Sequence, residues 1–186
     1  STRRLGGLVE QLFQYAKLEA NIVIPEKESF LINELASDIL MTYQLKAAER
    51  NIQLEIKAPS KLSPVFADIA LTERVFQNLL DNAFKFTPDG GDITIELAQT
   101  VSGVSIRIAD TGTGIPFEDQ SYIFERYKQL NKERNNTSGM GIGLAIVRKI
   151  LELHQTTIQI FSEPGKGTEF QFTLPLRKNF ILQSNS

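Results

Sequence analysis

Asn78, Asn82 and Lys85 recur at one-turn spacing within Gln77–Phe86, a stretch whose other positions are mostly apolar. At about 100° per residue, Val75, Phe76, Leu79, Leu80 and Ala83 share one broad helix face, and the two asparagines and the lysine form a narrow stripe beside it. Asparagine is a poor mid-helix residue because its amide competes for backbone hydrogen bonds. Two of them followed by a lysine fit oxygen ligands for a hard cation plus an ammonium for phosphate, with a solvated polar face as the plainer alternative. Asp110-Thr111-Gly112-Thr113-Gly114-Ile115 directly follows an alternating strand pattern. There a carboxylate is placed to accept hydrogen bonds and two glycines let backbone approach a flat ligand, although an ordinary Asx turn has the same composition. Ser138-Gly139-Met140-Gly141-Ile142-Gly143-Leu144 opens a helix, where unpaired N–H groups and the helix dipole favour an anion. No Gly-Lys-Ser/Thr follows, which excludes a P-loop. The polar run before it, and Gln159 where an acid belongs, exclude a dinucleotide fingerprint. Gly165-Lys166-Gly167-Thr168 precedes a strand and by itself is equally a hairpin turn.

The elements that must hold these residues follow from periodicity. Leu5, Leu8, Val9, Leu12, Tyr15 and Ala16 give a helix over 3–19, with an a/d seam suited to a bundle. The stretch 21–28, broken by Pro25 and charged at Glu26-Lys27-Glu28, reads as a linker and the domain boundary. Ser29 is expected to cap a helix running to Arg50. A strand at Ile52–Ile56 and a Pro/Ser loop over 58–64 come next. Asp68 is the expected N-cap of the helix carrying the asparagines, which ends at Thr87-Pro88-Asp89-Gly90-Gly91. Ile93/Ile95/Leu97 and Val104/Ile106/Ile108 form a hairpin turning at Gly103, and Ile158/Ile160 pair with Phe170/Phe172/Leu174 in another. Between the hairpins lie a polar segment over 111–140 and a helix from Gly141 to His154. The expected fold is α+β: a two-layer sandwich, mixed sheet with helices on one face, preceded by one bundle helix.

Bulk properties narrow the function. A chain of 186 residues with 41% hydrophobic and 23% charged residues has the composition of a soluble globular protein. A net charge of −2 offers no field for nucleic acid or an anionic membrane. Without cysteine there are no disulfides and no thiolate metal sites, as in a reducing compartment. No apolar run approaches the roughly 18 residues of a membrane helix, and the N-terminus lacks a signal-peptide core. The chain begins in mid-helix pattern, as a fragment of a longer protein would.

In order along the chain, QNLLDNAFKF, DTGTGI, IFERY, SGMGIGLAIV and PGKGTEF closely resemble the N, G1, F, G2 and G3 boxes of sensor histidine kinases, over residues 29–176. RLGGLVEQLFQYAKLEA resembles the second helix of that family's dimerisation and phosphotransfer domain. The resemblance implies a Bergerat-type ATP-binding fold over 29–178, a partial dimerisation helix over 1–20, a linker over 21–28 and a tail over 179–186. It implies ATP and Mg²⁺ as cofactors, the metal on Asn78 and Asn82, and phosphate contact by Lys85. Phe86 is implied to lie against the nucleotide, Asp110 to accept the adenine amino hydrogen bond, and Gly112, Gly114 and Ile115 to wall the base. Gly139, Met140, Gly141, Ile142, Gly143 and Leu144 would form the lid hinge and phosphate cradle, and Thr168 would lie beneath the adenine. Phe124 and Tyr127 fall in the F box, where core packing and nucleotide contact are equally compatible with the sequence. Residues 117–138 correspond to the family's mobile lid.

The resemblance further implies γ-phosphoryl transfer to a histidine on an upstream helix, relay to a response regulator receiver domain, and a homodimeric parent. It implies cytoplasmic placement, either free or as the inner part of a membrane-bound sensor. Three departures stand out. Gln129 replaces an arginine that many relatives carry, with Lys128, Lys132 or Arg134 as substitutes. Gln155-Thr156 replaces the usual Gly-Gly after the G2 helix. No phosphoacceptor box is present, and the only histidine, His154, occupies a helix-end position expected to be structural. Gyrase-type and mismatch-repair ATPases share the fold but carry a water-activating glutamate one turn before the metal asparagine. Here that position is Asn78, which cannot take a proton and so favours a kinase over a hydrolase. A degenerate, partner-binding module without catalysis is the competing class, with Gln129 in its favour and the intact asparagines, Asp110 and glycines against it.

Overall fold

In a computed structural model the described residues are 2–125 and 141–178, with side chains described from residue 6 onward. The chain runs α1 (Thr2–Glu19), β1 (Lys27–Phe30), α2 (Ile32–Glu49), β2 (Gln53–Lys57), β3 (Val65–Asp68), α3 (Ile69–Phe86), β4 (Asp92–Gln99), β5 (Gly103–Asp110), α4 (Phe117–Gln120), α5 (Gly143–Leu153), β6 (Gln159–Glu163) and β7 (Gly167–Pro175).

Five strands form a mixed sheet in the order β2-β4-β5-β7-β6, and β1 and β3 form a separate antiparallel pair. β2 runs parallel to β4, while the β4–β5, β5–β7 and β6–β7 pairs are antiparallel. Both expected hairpins are therefore present. A bridge between Val65 and Leu176 joins the small sheet to the end of β7. Alternation sorts the strands: Ile93, Ile95, Leu97, Val104, Ile106, Ile108, Phe170, Phe172 and Leu174 are buried. They meet Val75, Phe76, Leu79, Leu80 and Ala83 of α3 and Ile146, Val147 and Ile150 of α5 in one core. The intervening strand positions, such as Glu96, Arg107 and Glu169, form ion pairs on the other face of the sheet. The architecture is the expected α+β sandwich.

Asp68 caps α3 as its type requires, its Oδ1 accepting the Leu71 N–H at 2.9 Å. The other end of α3 is held by Arg50, whose guanidinium donates to the carbonyls of Phe84 and Thr87 and pairs with Asp89. Those carbonyls have no partner within the helix, so the arginine completes the C-terminus.

The N-terminal third differs from expectation. Ser29 does not cap a helix; Lys27–Phe30 is a strand, registered so that Lys27 faces Asp68 and Phe30 faces Val65. Leu31 takes the cap position of α2 without a side-chain bond. Lys27 and Glu28 thus belong to this sheet rather than to a linker, and the partner strand β3 occupies Val65–Asp68, between the expected loop over 58–64 and α3. A four-residue strand leaves too short an alternation to outweigh a serine before an apolar-periodic run. α5 begins at Gly143 rather than Gly141. α1 does not stand apart: Tyr15 and Leu18 are buried with the main core, and Lys149 of α5 lies 3.6 Å from Glu19. Among the described residues no helix is long and apolar enough to cross a membrane.

Candidate nucleotide site

β5 delivers Asp110 to the end of the sheet opposite Thr168 of β7, so the DTGTGI segment and the start of β7 share one edge. Asp110 Oδ1 accepts the Gly112 N–H at 2.8 Å. Burial pushes this carboxyl up from 3.8 to about 6, against lowering by the Gly112 and Thr168 backbone N–H groups. A side chain at Gly112 would bring its Cβ to 2.6 Å from Asp110 Oδ1 and 2.7 Å from the Phe86 carbonyl, so only glycine lets the carboxyl and α3 approach this closely. The Thr113 N–H donates to Phe86 O at 3.3 Å, fastening the loop to the end of α3.

Beyond Gly114, Ile115 is buried in the core, and its backbone N–H donates to Ser162 Oγ at 2.8 Å. Ser162 spends its one proton on Gly167 O at 2.9 Å. Thr168 must then be the donor in the 2.9 Å Ser162–Thr168 hydroxyl pair, which leaves the Thr168 lone pairs free. Gln120 of α4 ties the same corner, its Nε2 donating to Ile115 O and Ser162 O, each at 2.9 Å. Sequence reading missed Ser162 and Gln120. Neither lies in a motif, and Ser162 is recognisable only as the residue that hairpin register sets across from Thr168.

The α3 stripe faces this corner and the start of α5. Asn78 is half-buried, and its Nδ2 donates to the Arg74 carbonyl at 2.9 Å, which commits the amide nitrogen and leaves Oδ1. A Cβ on Gly143 would sit 2.9 Å from that Oδ1, so the first residue of α5 lies directly against the asparagine. The side chain of Asn82, also half-buried, has no hydrogen bond among the described residues. Two amide oxygens one turn apart are of the type that suits a hard cation. Lys85 and Phe86 are exposed at the end of α3 with the ammonium 5.2 Å from the ring centroid, and partial burial lowers that ammonium from its ordinary value.

The G2 segment is described from Gly141 onward. Gly141 has φ of 65°, and Ile142, at the cap position of α5, is buried in the core, so only its backbone faces the site. Leu144 packs partly buried against the core. Of the two F-box readings, Phe124 takes core packing, edge-on to Phe170 at 6.1 Å. Tyr127, Lys128, Gln129, Lys132, Arg134, Gly139 and Met140 lie outside the described residues. Contacts bring Asn78 against Gly143 at the α3–α5 junction, and Phe86, Asp110, Gly112 and Thr168 together where the end of α3 meets β5 and β7.

A mixed sheet with an aspartate behind a glycine turn and paired amides against a glycine-opened helix defines a nucleotide-binding ATPase domain. Residues 67–178 match the family described as Histidine kinase-, DNA gyrase B-, and HSP90-like ATPase, and the chain belongs to it. The chain is 36% identical over 175 residues to the adaptive-response sensory kinase SasA of Microcystis aeruginosa, covering 94% of this chain and 45% of the relative. It is 37% identical over 170 residues to that of Synechocystis, covering 91% and 44%. It spans less than half the length of these curated relatives. Among solved structures it resembles full-length ShkA in complex with AMPPNP (TM-score 0.82, 28% identity, 92% of this chain and 35% of that one). It also resembles the catalytic domain of histidine kinase ThkA (TM-score 0.72, 28% identity, 81% and 95%).

Proposed function

We propose that this chain is the catalytic part of a sensor histidine kinase, residues 29–178 binding ATP and residues 1–20 ending the dimerisation and phosphotransfer domain. The observation that carries the kinase reading is Asn78: a half-buried amide, bonded through Nδ2 to Arg74 O, at the position where a hydrolase needs a carboxylate. An amide takes no proton from water, whereas a neutral imidazole is already a nucleophile and needs no strong base.

The site residues fit Mg²⁺ and ATP. Asn82 and Asn78 Oδ1 would hold the metal, which when bound would neutralise phosphate charge. Lys85 adds a cation at the phosphates, with Phe86 beside the nucleotide. Asp110 takes the adenine amino hydrogen bond and disfavours guanine, whose oxygen at that place would meet the carboxylate. Gly112, Gly114 and the Ile115 backbone wall the base, Thr168 lies under it, and Gly139 to Leu144 supply N–H groups at the start of α5. The γ-phosphoryl group leaves the β-phosphate oxygen of ATP as a bond forms to an imidazole nitrogen on an upstream helix; the imidazole loses its proton to solvent and ADP departs. The phosphoryl group passes next to a response regulator receiver domain, and the parent acts as a cytoplasmic homodimer. ThkA has been solved in complex with response regulator protein TrrA, and the chain matches ThkA in that complex at a TM-score of 0.77.

Calorimetric titration with a non-hydrolysable ATP analogue should give binding that strengthens with Mg²⁺, and an Asn82→Ala variant should lose that increment. Supplying the upstream helix in trans should yield acid-labile phosphate on its histidine. Absence of binding with Mg²⁺ present refutes the catalytic reading.

A further inference from the structure

A second concavity lies away from the nucleotide site. α5 starts beside Asn78 and ends at His154, whose Nε2 accepts the Asp68 N–H at 3.0 Å at the start of α3. At this far end a cleft of about 530 Å³ follows the seam where β1 and β3 meet the end of β7. Lys27 of β1 and Arg177 and Lys178 after β7 bring three cations to it, and no carboxylate is among its described lining residues. None of the three forms an ion pair among the described residues. Arg177 lies over the Phe66 ring, 5.6 Å from its centroid, which keeps the guanidinium at the cleft and leaves an aromatic surface beneath it.

Two features weigh against a merely solvated cluster. The cations are not needed to cap α5, because its last carbonyls already accept backbone N–H groups: Glu152 O from Gln155 and Leu151 O from Thr156, each at 3.0 Å. The charge of Lys27 also reaches the His154 ring. The His154 ring is held below its ordinary value chiefly by burial, with a smaller lowering by Lys27, while the hydrogen bond to Ile150 O and the Asp68 charge oppose this. With Nδ1 bonded to Ile150 O and Nε2 accepting from Asp68 N–H, the ring stays neutral and brings no charge of its own to the wall of the cleft. Hydroxyls of Thr156 and Thr173 add neutral hydrogen-bonding groups.

We propose that this cleft binds a small organic anion, with Lys27, Arg177 and Lys178 around the charged group and Phe66 against its apolar body. Lys27 sits on the strand that follows α1 and Arg177 just after β7, so an occupied cleft ties the N-terminal segment to the sheet. The site is independent of the nucleotide reading.

The test uses the whole chain, isotope-labelled, with the nucleotide site saturated by a non-hydrolysable ATP analogue and Mg²⁺. Phenyl phosphate, inorganic phosphate and benzyl alcohol are titrated while backbone amide shifts are followed. Phenyl phosphate is expected to shift the amides of Lys27, Phe66, Thr156 and Arg177 saturably, with Kd of about 1 mM and at least about fivefold tighter than either half-probe. A Lys27→Met/Arg177→Met double variant should weaken it about tenfold without changing analogue affinity or thermal midpoint. No saturable shift by about 20 mM overturns the proposal. So does equal binding of benzyl alcohol or of inorganic phosphate, or full binding by a correctly folded double variant. Should the double variant misfold, Arg177→Lys, which keeps charge but loses the stacked guanidinium, must still weaken phenyl phosphate.

Discussion

Replacing Asp110 with asparagine should separate nucleotide binding from stability, because the carboxyl is costly to the fold while the proposed site assigns it the adenine hydrogen bond. In the native state it is pushed up from 3.8 to about 6 by burial, so the folded form holds its proton more tightly than the unfolded chain. The stability it contributes is fully present below pH 3.8 and is lost as pH rises through 6. A difference of that size corresponds to at most roughly 3 kcal/mol, and partial solvent contact reduces it to about 1–2 kcal/mol. The Asp110→Asn side chain keeps an oxygen for the Gly112 N–H, so the variant should be more stable than the parent by about 1 kcal/mol at pH 7.5, measured by denaturant unfolding. Binding should move the other way. An amide nitrogen set against the adenine amino group leaves donors facing each other, which weakens affinity by about 10–100-fold at pH 7.5. In the parent, affinity should fall as pH drops through 6, by about tenfold at pH 5, as the carboxylate protonates. Protonation of the triphosphate is common to both proteins, so the ratio of parent to variant affinity by calorimetry isolates Asp110. A variant binding within twofold of the parent at pH 7.5, or a ratio that does not change between pH 7.5 and 5, refutes the reasoning.

Three other substitutions probe the supports of the site. Gly143→Val places a side chain against Asn78 Oδ1, 2.9 Å from the new Cβ, and because Asn78 is pinned to Arg74 O it cannot easily yield. Analogue affinity should fall about tenfold in calorimetry while folding free energy changes by less than about 1 kcal/mol. Arg50→Met strips the guanidinium from Phe84 O and Thr87 O, so stability should drop by about 2–3 kcal/mol, seen calorimetrically as a fall in Tm of roughly 4–10 °C. Gln155 follows α5 with φ of 56°, a left-handed conformation that glycine adopts freely, so Gln155→Gly should raise stability by about 1 kcal/mol in urea unfolding.

Much of this molecule was legible in the chain itself. Period-3.6 and period-2 patterns specify α3 and both hairpins because their apolar faces are long enough to bury only one way. The chemistry was equally local: paired amides, an aspartate after a strand and a glycine-opened helix declare themselves by residue type. Short-range competition set the limits. Ser29 looks like a cap, but the backbone of Lys27–Phe30 pairs with Val65–Asp68, and pairing with so distant a segment leaves no mark on a strand this short. Tyr15 and Leu18 carry a bundle pattern and yet pack with the main core, because an apolar stripe specifies that it will be covered and not by what.

The site divides along the same line. Sequence determined which groups are available: amide oxygens at Asn78 and Asn82, a carboxylate at Asp110, and the absence of a carboxylate at position 78. Tertiary structure decided their state. Only burial at the junction of β5 and β7 gives Asp110 its raised value, against the lowering by the Gly112 and Thr168 N–H groups, and only the Arg74 carbonyl determines that Asn78 presents oxygen. Ser162 becomes the partner of Thr168 solely through hairpin register, and Lys27, Arg177 and Phe66 become neighbours solely because two sheets meet at Val65 and Leu176. Residue type is inherited from the sequence, whereas burial, proton affinity and the free lone pair belong to the surroundings, which distant segments build together.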